Sequence, residues 1–156
     1  MVTQAGNNEK VRGIVYLSAL VPDSGELVSD LLTRLGSPME GMTPDAHGLI
    51  WLDSPAAFQH VMAADVASDK VQQLAAVQQP IAARAFNDKI KQAAWRNKPT
   101  WYLLTQNDNA LPYNVQKKIV AQTSSETKTL RSSHLSLISH PDDVVCFIAK
   151  AAKSLN

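Results

Sequence analysis

Two short polar loops carry the residues that could do chemistry. Gln106-Asn107-Asp108-Asn109-Ala110-Leu111-Pro112 holds a carboxylate, Asp108, and Arg131-Ser132-Ser133-His134 ends on an imidazole, His134. A carboxylate can orient a histidine and stabilise its imidazolium, while the histidine moves the proton. His140 stands directly before Pro141 and reads as a residue leading into a helix. His134 and His140 do not have the spacing of a zinc pair and no third ligand cluster accompanies them, so neither a metal nor a cofactor is expected. His47 and His60 read as surface residues. Ser18 and Ser24 do not sit on a strand–turn–helix elbow and are not read as nucleophiles. Cys146, set among Val144, Val145, Phe147 and Ile148, reads as a buried small apolar residue. Trp51, Trp95 and Trp101 read as packing residues.

The two loops need elements to hold them. Gly13 to Val21 is a continuous apolar, β-branched run without alternation, as in strands buried on both faces of a parallel sheet. Thr100 to Thr105 predicts a second strand and Thr127 to Leu130 a short third. Asp108 follows the second strand and His134 the third, so both fall at carboxyl ends of parallel strands, where open α/β sheets place their sites. Tyr113 to Thr123 and about 140 to 153 have helical spacing. Between the first two strands the chain reads as mostly helical and strand-free. Leu27, Leu31, Leu32 and Leu35 share one face. Asp53 or Ser54 caps a helix with Pro55 in its first turn, and Asp65 caps another that runs to Val77, with Val66, Leu74 and Val77 inward. Gln79-Pro80 opens a short helical piece to Phe86. The stub from Val2 ends as a helical turn at Gly6. Strand, helical insert, strand, helix, strand, helix implies an α/β fold with a parallel sheet.

Bulk properties exclude some functions. The chain has 156 residues, 45% of them apolar, which suits one domain. Fifteen basic and fourteen acidic residues leave a net charge of +1, too little to draw in nucleic acid or anionic lipid. No apolar stretch reaches the roughly 20 residues of a membrane span. With Cys146 alone no internal disulfide forms, and Met1 to Lys10 lacks a signal-peptide core, so a cytoplasmic location is expected.

Val11-Arg12-Gly13-Ile14-Val15-Tyr16-Leu17-Ser18-Ala19-Leu20-Val21-Pro22-Asp23-Ser24-Gly25-Glu26 resembles the sixth strand of α/β-hydrolases, in a bacterial esterase-like subfamily similar to plant esterases and hydroxynitrile lyases. Gln79-Pro80-Ile81 and Ala94-Trp95 resemble landmarks of that family's helical cap. Pro99 to Pro112 resembles its seventh strand and acid loop, and Ser133-His134-Leu135-Ser136-Leu137-Ile138-Ser139-His140-Pro141 its catalytic-histidine loop. The resemblance implies a single partial domain, 1-156, with a truncated α/β-hydrolase fold: a mostly parallel sheet of about three strands and a cap-like insert at 26-94. It assigns Asp108 as triad acid and His134 as triad histidine.

In that fold the nucleophile precedes acid and histidine on a G-x-S-x-G elbow. No such pentapeptide occurs, and Val2-Thr3-Gln4-Ala5-Gly6 resembles the helix directly after the elbow. The elbow, the first five strands and the oxyanion loop are therefore expected to be missing. The expected protein is an ester-hydrolase relative, inactive or impaired on its own. The alternatives are a non-catalytic module that binds a small hydrophobic ligand between insert and Asp108–His134, or binds a protein; half of a split hydrolase; or a chain whose coding start lies upstream of Met1. The strand Gly13-Val21 is expected to be an exposed edge that pairs with a second copy as a homodimer.

Overall fold

In the computed structural model, which describes residues 2–37, 43–52 and 54–155, the central element is a strand buried at all six positions. In chain order the elements are helix α1 (Val2–Ala5), strand β1 (Ile14–Leu17), helix α2 (Val28–Leu35), strand β2 (Leu49–Ile50), helices α3 (Pro55–Met62) and α4 (Ser68–Ala76), strand β3 (Ile81–Ala82), 3-10 turns at Ala83–Phe86 and Ala94–Arg96, strand β4 (Thr100–Thr105), helix α5 (Tyr113–Thr123), strand β5 (Glu126–Leu130), and helices α6 (Ser136–Ser139) and α7 (Pro141–Lys153). Three strands make a parallel sheet in the order β1-β4-β5, with Ile14 opposite Thr100 and Trp101 opposite Glu126.

The unbroken apolar run of β4 follows from cover on both faces. Tyr102 and Leu104 pack with Leu31 and Leu35 of α2 and with Val115 and Ile119 of α5. Trp101 and Leu103 pack with Val144, Phe147 and Ala151 of α7. A separate cluster, Phe58, Ala63, Val66, Val71 and Ala75, joins α3 to α4, and Leu135 and Ile138 pack against it from the far end of the chain.

Several expectations hold and several do not. The expected bounds of β4 and α5 match, β5 begins one residue earlier, and α7 ends at Lys153 as expected. Ser54 caps α3 by accepting the Ala57 amide at 3.1 Å; Asp53, the alternative cap, lies outside the described residues. The run Gly13–Val21 yields only four strand residues. Ile14 and Tyr16 are buried and Val15 and Leu17 half-buried, because β1 is a sheet edge and not an interior strand. At Ser18 the chain turns left-handed (φ 43°) and leaves the ladder. The insert is not strand-free: Leu49 and Ile50 pair antiparallel with Ala82 and Ile81, and of the piece expected to be helical from Gln79 to Phe86 only Ala83–Phe86 forms a 3-10 turn. Asp65 does not cap the next helix, which starts at Ser68 behind Ala67. That helix stops at Ala76, and Val77 is exposed because the inward stripe is carried by Val71 and Ala75. Cys146 is exposed, since the inward stripe of α7 is Val144, Phe147 and Ala151. Trp101 and Trp95 pack, whereas Trp51 is exposed and donates to Asp45 Oδ2 at 3.2 Å.

Candidate functional site

The two site loops stay zipped together past the end of the sheet. After the pair Thr105–Leu130, the Gln106 amide donates to the Leu130 carbonyl at 2.9 Å and the Asn107 amide to the Ser132 carbonyl at 3.1 Å. This holds the residue after Asn107 and the residues after Ser132 at the same carboxyl edge. There the structure brings Asp108 and His134 together: His134 Nδ1 lies 2.8 Å from Asp108 Oδ2.

Asp108 is buried and saturated with donors. Its Oδ1 accepts the amides of Ala110 and Leu111 at 2.9 and 2.8 Å, which turns the loop back around the carboxylate. Its Oδ2 accepts Thr105 Oγ1 at 2.7 Å and lies 3.2 Å from Gln116 Nε2. A carboxylate that accepts only hydrogen bonds presents no donor to a histidine, so the Asp108 pairing favours the tautomer with hydrogen on Nδ1. His134 is about a quarter exposed (25%), and its Nε2 has no hydrogen-bond partner among the described residues. The Nε2 lone pair is thus free to take a proton from an incoming group.

Gln116, fully buried on α5, is the residue that sequence reasoning missed. Its Oε1 accepts the Thr105 amide at 2.9 Å, and its Nε2 reaches the Leu111 carbonyl at 2.7 Å and Thr105 Oγ1 at 2.9 Å. It therefore bolts the end of β4, the acid loop and the carboxylate to one helix. Tyr102, buried beneath, donates its hydroxyl to the Ala19 carbonyl at 2.7 Å. Burial, and after it the negative charge of Asp108, push its phenol far above the ordinary range, so it remains a neutral donor.

The remaining candidates lie elsewhere. Ser18 is buried and its hydroxyl has no partner among the described residues; Ser24 Oγ accepts the Ala93 amide at 2.9 Å. His47 and His60 are exposed, as expected. His140 stands at the start of α7, its Nδ1 2.9 Å from Ser139 Oγ. Among the described residues no group of three or more His, Cys, Asp or Glu side chains could hold a metal, and no helix is long and apolar enough to cross a membrane. An apolar concavity of about 450 Å³ runs along β1, lined by residues that include Val2, Val15, Leu17 and Leu20; neither Asp108 nor His134 lines it.

The same arrangement of strands and loops occurs in known proteins. A polyneuridine aldehyde esterase matches with a TM-score of 0.73 at 16% identity, covering 96% of this chain and 65% of that one. A pyrethroid hydrolase from Sphingobium faniae JZ-2 matches with a TM-score of 0.75 at 18% identity, covering 97% and 64%. A methylesterase from Arabidopsis matches with a TM-score of 0.71 at 21% identity, covering 93% and 60%. At these identities the likeness is one of fold, and the chain spans under two thirds of each of these proteins. No curated protein matches the sequence. The model of the alpha/beta hydrolase family matches residues 1–145, which takes in all three parallel strands and both site loops, so the chain belongs to the α/β-hydrolase family.

Proposed function

We propose that this chain supplies the acid and the histidine of an ester-hydrolysing site, with Asp108 orienting His134 and His134 acting as general base. The observation that carries the reading is the 2.8 Å contact between His134 Nδ1 and a buried Asp108 carboxylate that is held by four other donors. Ester chemistry is supported by the names of the proteins that share the fold, two of which are esterases. Because the 156 residues contain no G-x-S-x-G, the nucleophile and the oxyanion donors come from outside them, and on its own the chain is an impaired or inactive hydrolase. The segment at 26-94 serves in this reading as the cap over the site.

The test is an assay on p-nitrophenyl esters, with the chain alone and with the chain joined to the first strands and serine elbow of an α/β-hydrolase. Alone, wild type and His134→Ala give the same background rate. Joined, hydrolysis appears and falls by about 10³-fold or more in His134→Ala. Restored hydrolysis that ignores His134→Ala rejects the reading.

The partner that best suits the free edge of β1 is a second copy of the chain. The amides of Ile14 and Ser18 point to the β4 side, so those of Val15 and Leu17 point away from it. Two such edges paired about a two-fold axis would satisfy each other and cover the apolar concavity beside them.

A further inference from the structure

The insert grips both site loops from one side. In the last turn of α3, where helix carbonyls lack partners of their own, the His60 carbonyl accepts Asn109 Nδ2 at 2.8 Å and the Met62 carbonyl accepts the Leu135 amide at 2.9 Å. Just beyond that turn stands Asp65. Its Oδ2 accepts the Ser133 amide at 3.1 Å, its Oδ1 accepts the Ser133 hydroxyl, and Oδ2 lies 3.7 Å from His140 Nδ1. Ser133 is 1% exposed and directly precedes His134. One carboxylate thus holds the residue before His134 and faces the residue that opens α7.

We propose that Asp65 is a positioning residue for His134: from the insert it fixes Ser133, and through Ser133 the backbone from which His134 reaches Asp108. This rests on reading Asp108 and His134 as an acid–histidine pair. Ser133 presents two donors, N–H and O–H, to the same side, and the Asp65 carboxylate, which accepts at both oxygens, satisfies them together. Such bonds to a charged acceptor are short and stronger than neutral ones. The Met62 carbonyl lies 3.2 Å from Ser133 Oγ and accepts the Leu135 amide, so α3 and Asp65 flank the loop from the same side. The rival role for Asp65 is to anchor α3 and α4 to the rest of the molecule, with no effect on His134.

Nuclear magnetic resonance on the full chain separates the two. The variants are Asp65→Asn, which turns one acceptor into a donor, and Asp65→Glu, which keeps the charge and displaces it by one methylene. In Asp65→Asn we expect the Ser133 amide to exchange at least about tenfold faster and the His134 Nδ1 proton signal to shift and broaden, with the Leu103 and Thr105 amides unchanged. In Asp65→Glu the shift has the same direction and is smaller. A His134 signal at its wild-type position in both variants, with only the amides of α3 and α4 exchanging faster, overturns the proposal. If Asp65→Asn does not fold, Asp65→Glu alone decides on the same criterion. None of these signals depends on turnover, so an ester assay that rejects the acid–histidine reading leaves this result separately legible.

Discussion

Asp108 is held by five donors, and that arrangement makes two substitutions informative. In Asp108→Asn a donating NH2 group meets donors where a carboxylate oxygen accepted them, so the variant loses about 1–3 kcal/mol against urea. It also frees the His134 tautomer, which shows as loss of the deshielded Nδ1 proton. Gln116→Leu keeps volume but strands the Thr105 amide and the Leu111 carbonyl, and is expected to cost about 2–4 kcal/mol in the same measurement. That Asp108 and His134 fall in loops at the carboxyl ends of neighbouring strands was legible in the sequence, because each loop is polar and follows a strand-like run. Gln116 was not, since a glutamine on an amphipathic helix looks like any solvated residue, and its partners are fixed by the fold. In the sequence Asp65 reads as the cap of its own helix. Long-range donors on Ser133 took the carboxylate instead, and no pattern in the sequence announces them.

At the level of elements, strongly periodic segments were read well, and those whose burial depends on neighbours were not. The bounds of β4 match because both faces are covered and its composition says so. β1 has similar composition, but as an edge it keeps only four residues before Ser18 turns away. The sequence hides the pairing of β2 with β3, because two-residue strands carry no period. Gly6 shows how closely α1 is seated: a Cβ there would stand 2.6 Å from Ile14 Cδ1 and 2.9 Å from Ala94 Cβ. Gly6→Ala is therefore expected to destabilise by about 1–3 kcal/mol, read as a lower thermal midpoint. The join between insert and histidine loop depends on pH. Burial works against the Asp65 charge, but hydrogen bonds from Ser133 and Ser139 outweigh it and hold the carboxyl below its ordinary value. A lowered carboxyl stabilises the fold fully above its unfolded pKa, about 3.9, and that contribution disappears as pH falls through the folded value. The stability difference between wild type and Asp65→Asn should accordingly be constant above about pH 5 and shrink below pH 4.

For the whole molecule, the parallel sheet was readable because three runs of the right composition occur in the right order, and the family because the segments Val11–Glu26, Pro99–Pro112 and Ser133–Pro141 resemble its sixth strand, acid loop and histidine loop. The proposed dimer rests on the β1 edge. Light scattering is expected to show a dimer at micromolar concentration, and Leu17→Lys, which places a charge on that edge, a monomer. A wild-type monomer would reject the pairing. The order of the sheet has one more consequence, in time. Trp101 meets Glu126, 25 residues on, whereas Ile14 must find Thr100, 86 residues on. Closing the longer loop costs about 1 kcal/mol more in chain entropy. The span from β4 through α5 to β5, site loops included, is thus equipped to form early, and β1 to arrive late. In a pulse-labelled refolding experiment the amides of Leu104 and Gln106, which face β5, should gain protection before that of Tyr16, so that the acid–histidine corner exists before the molecule has its outer strand.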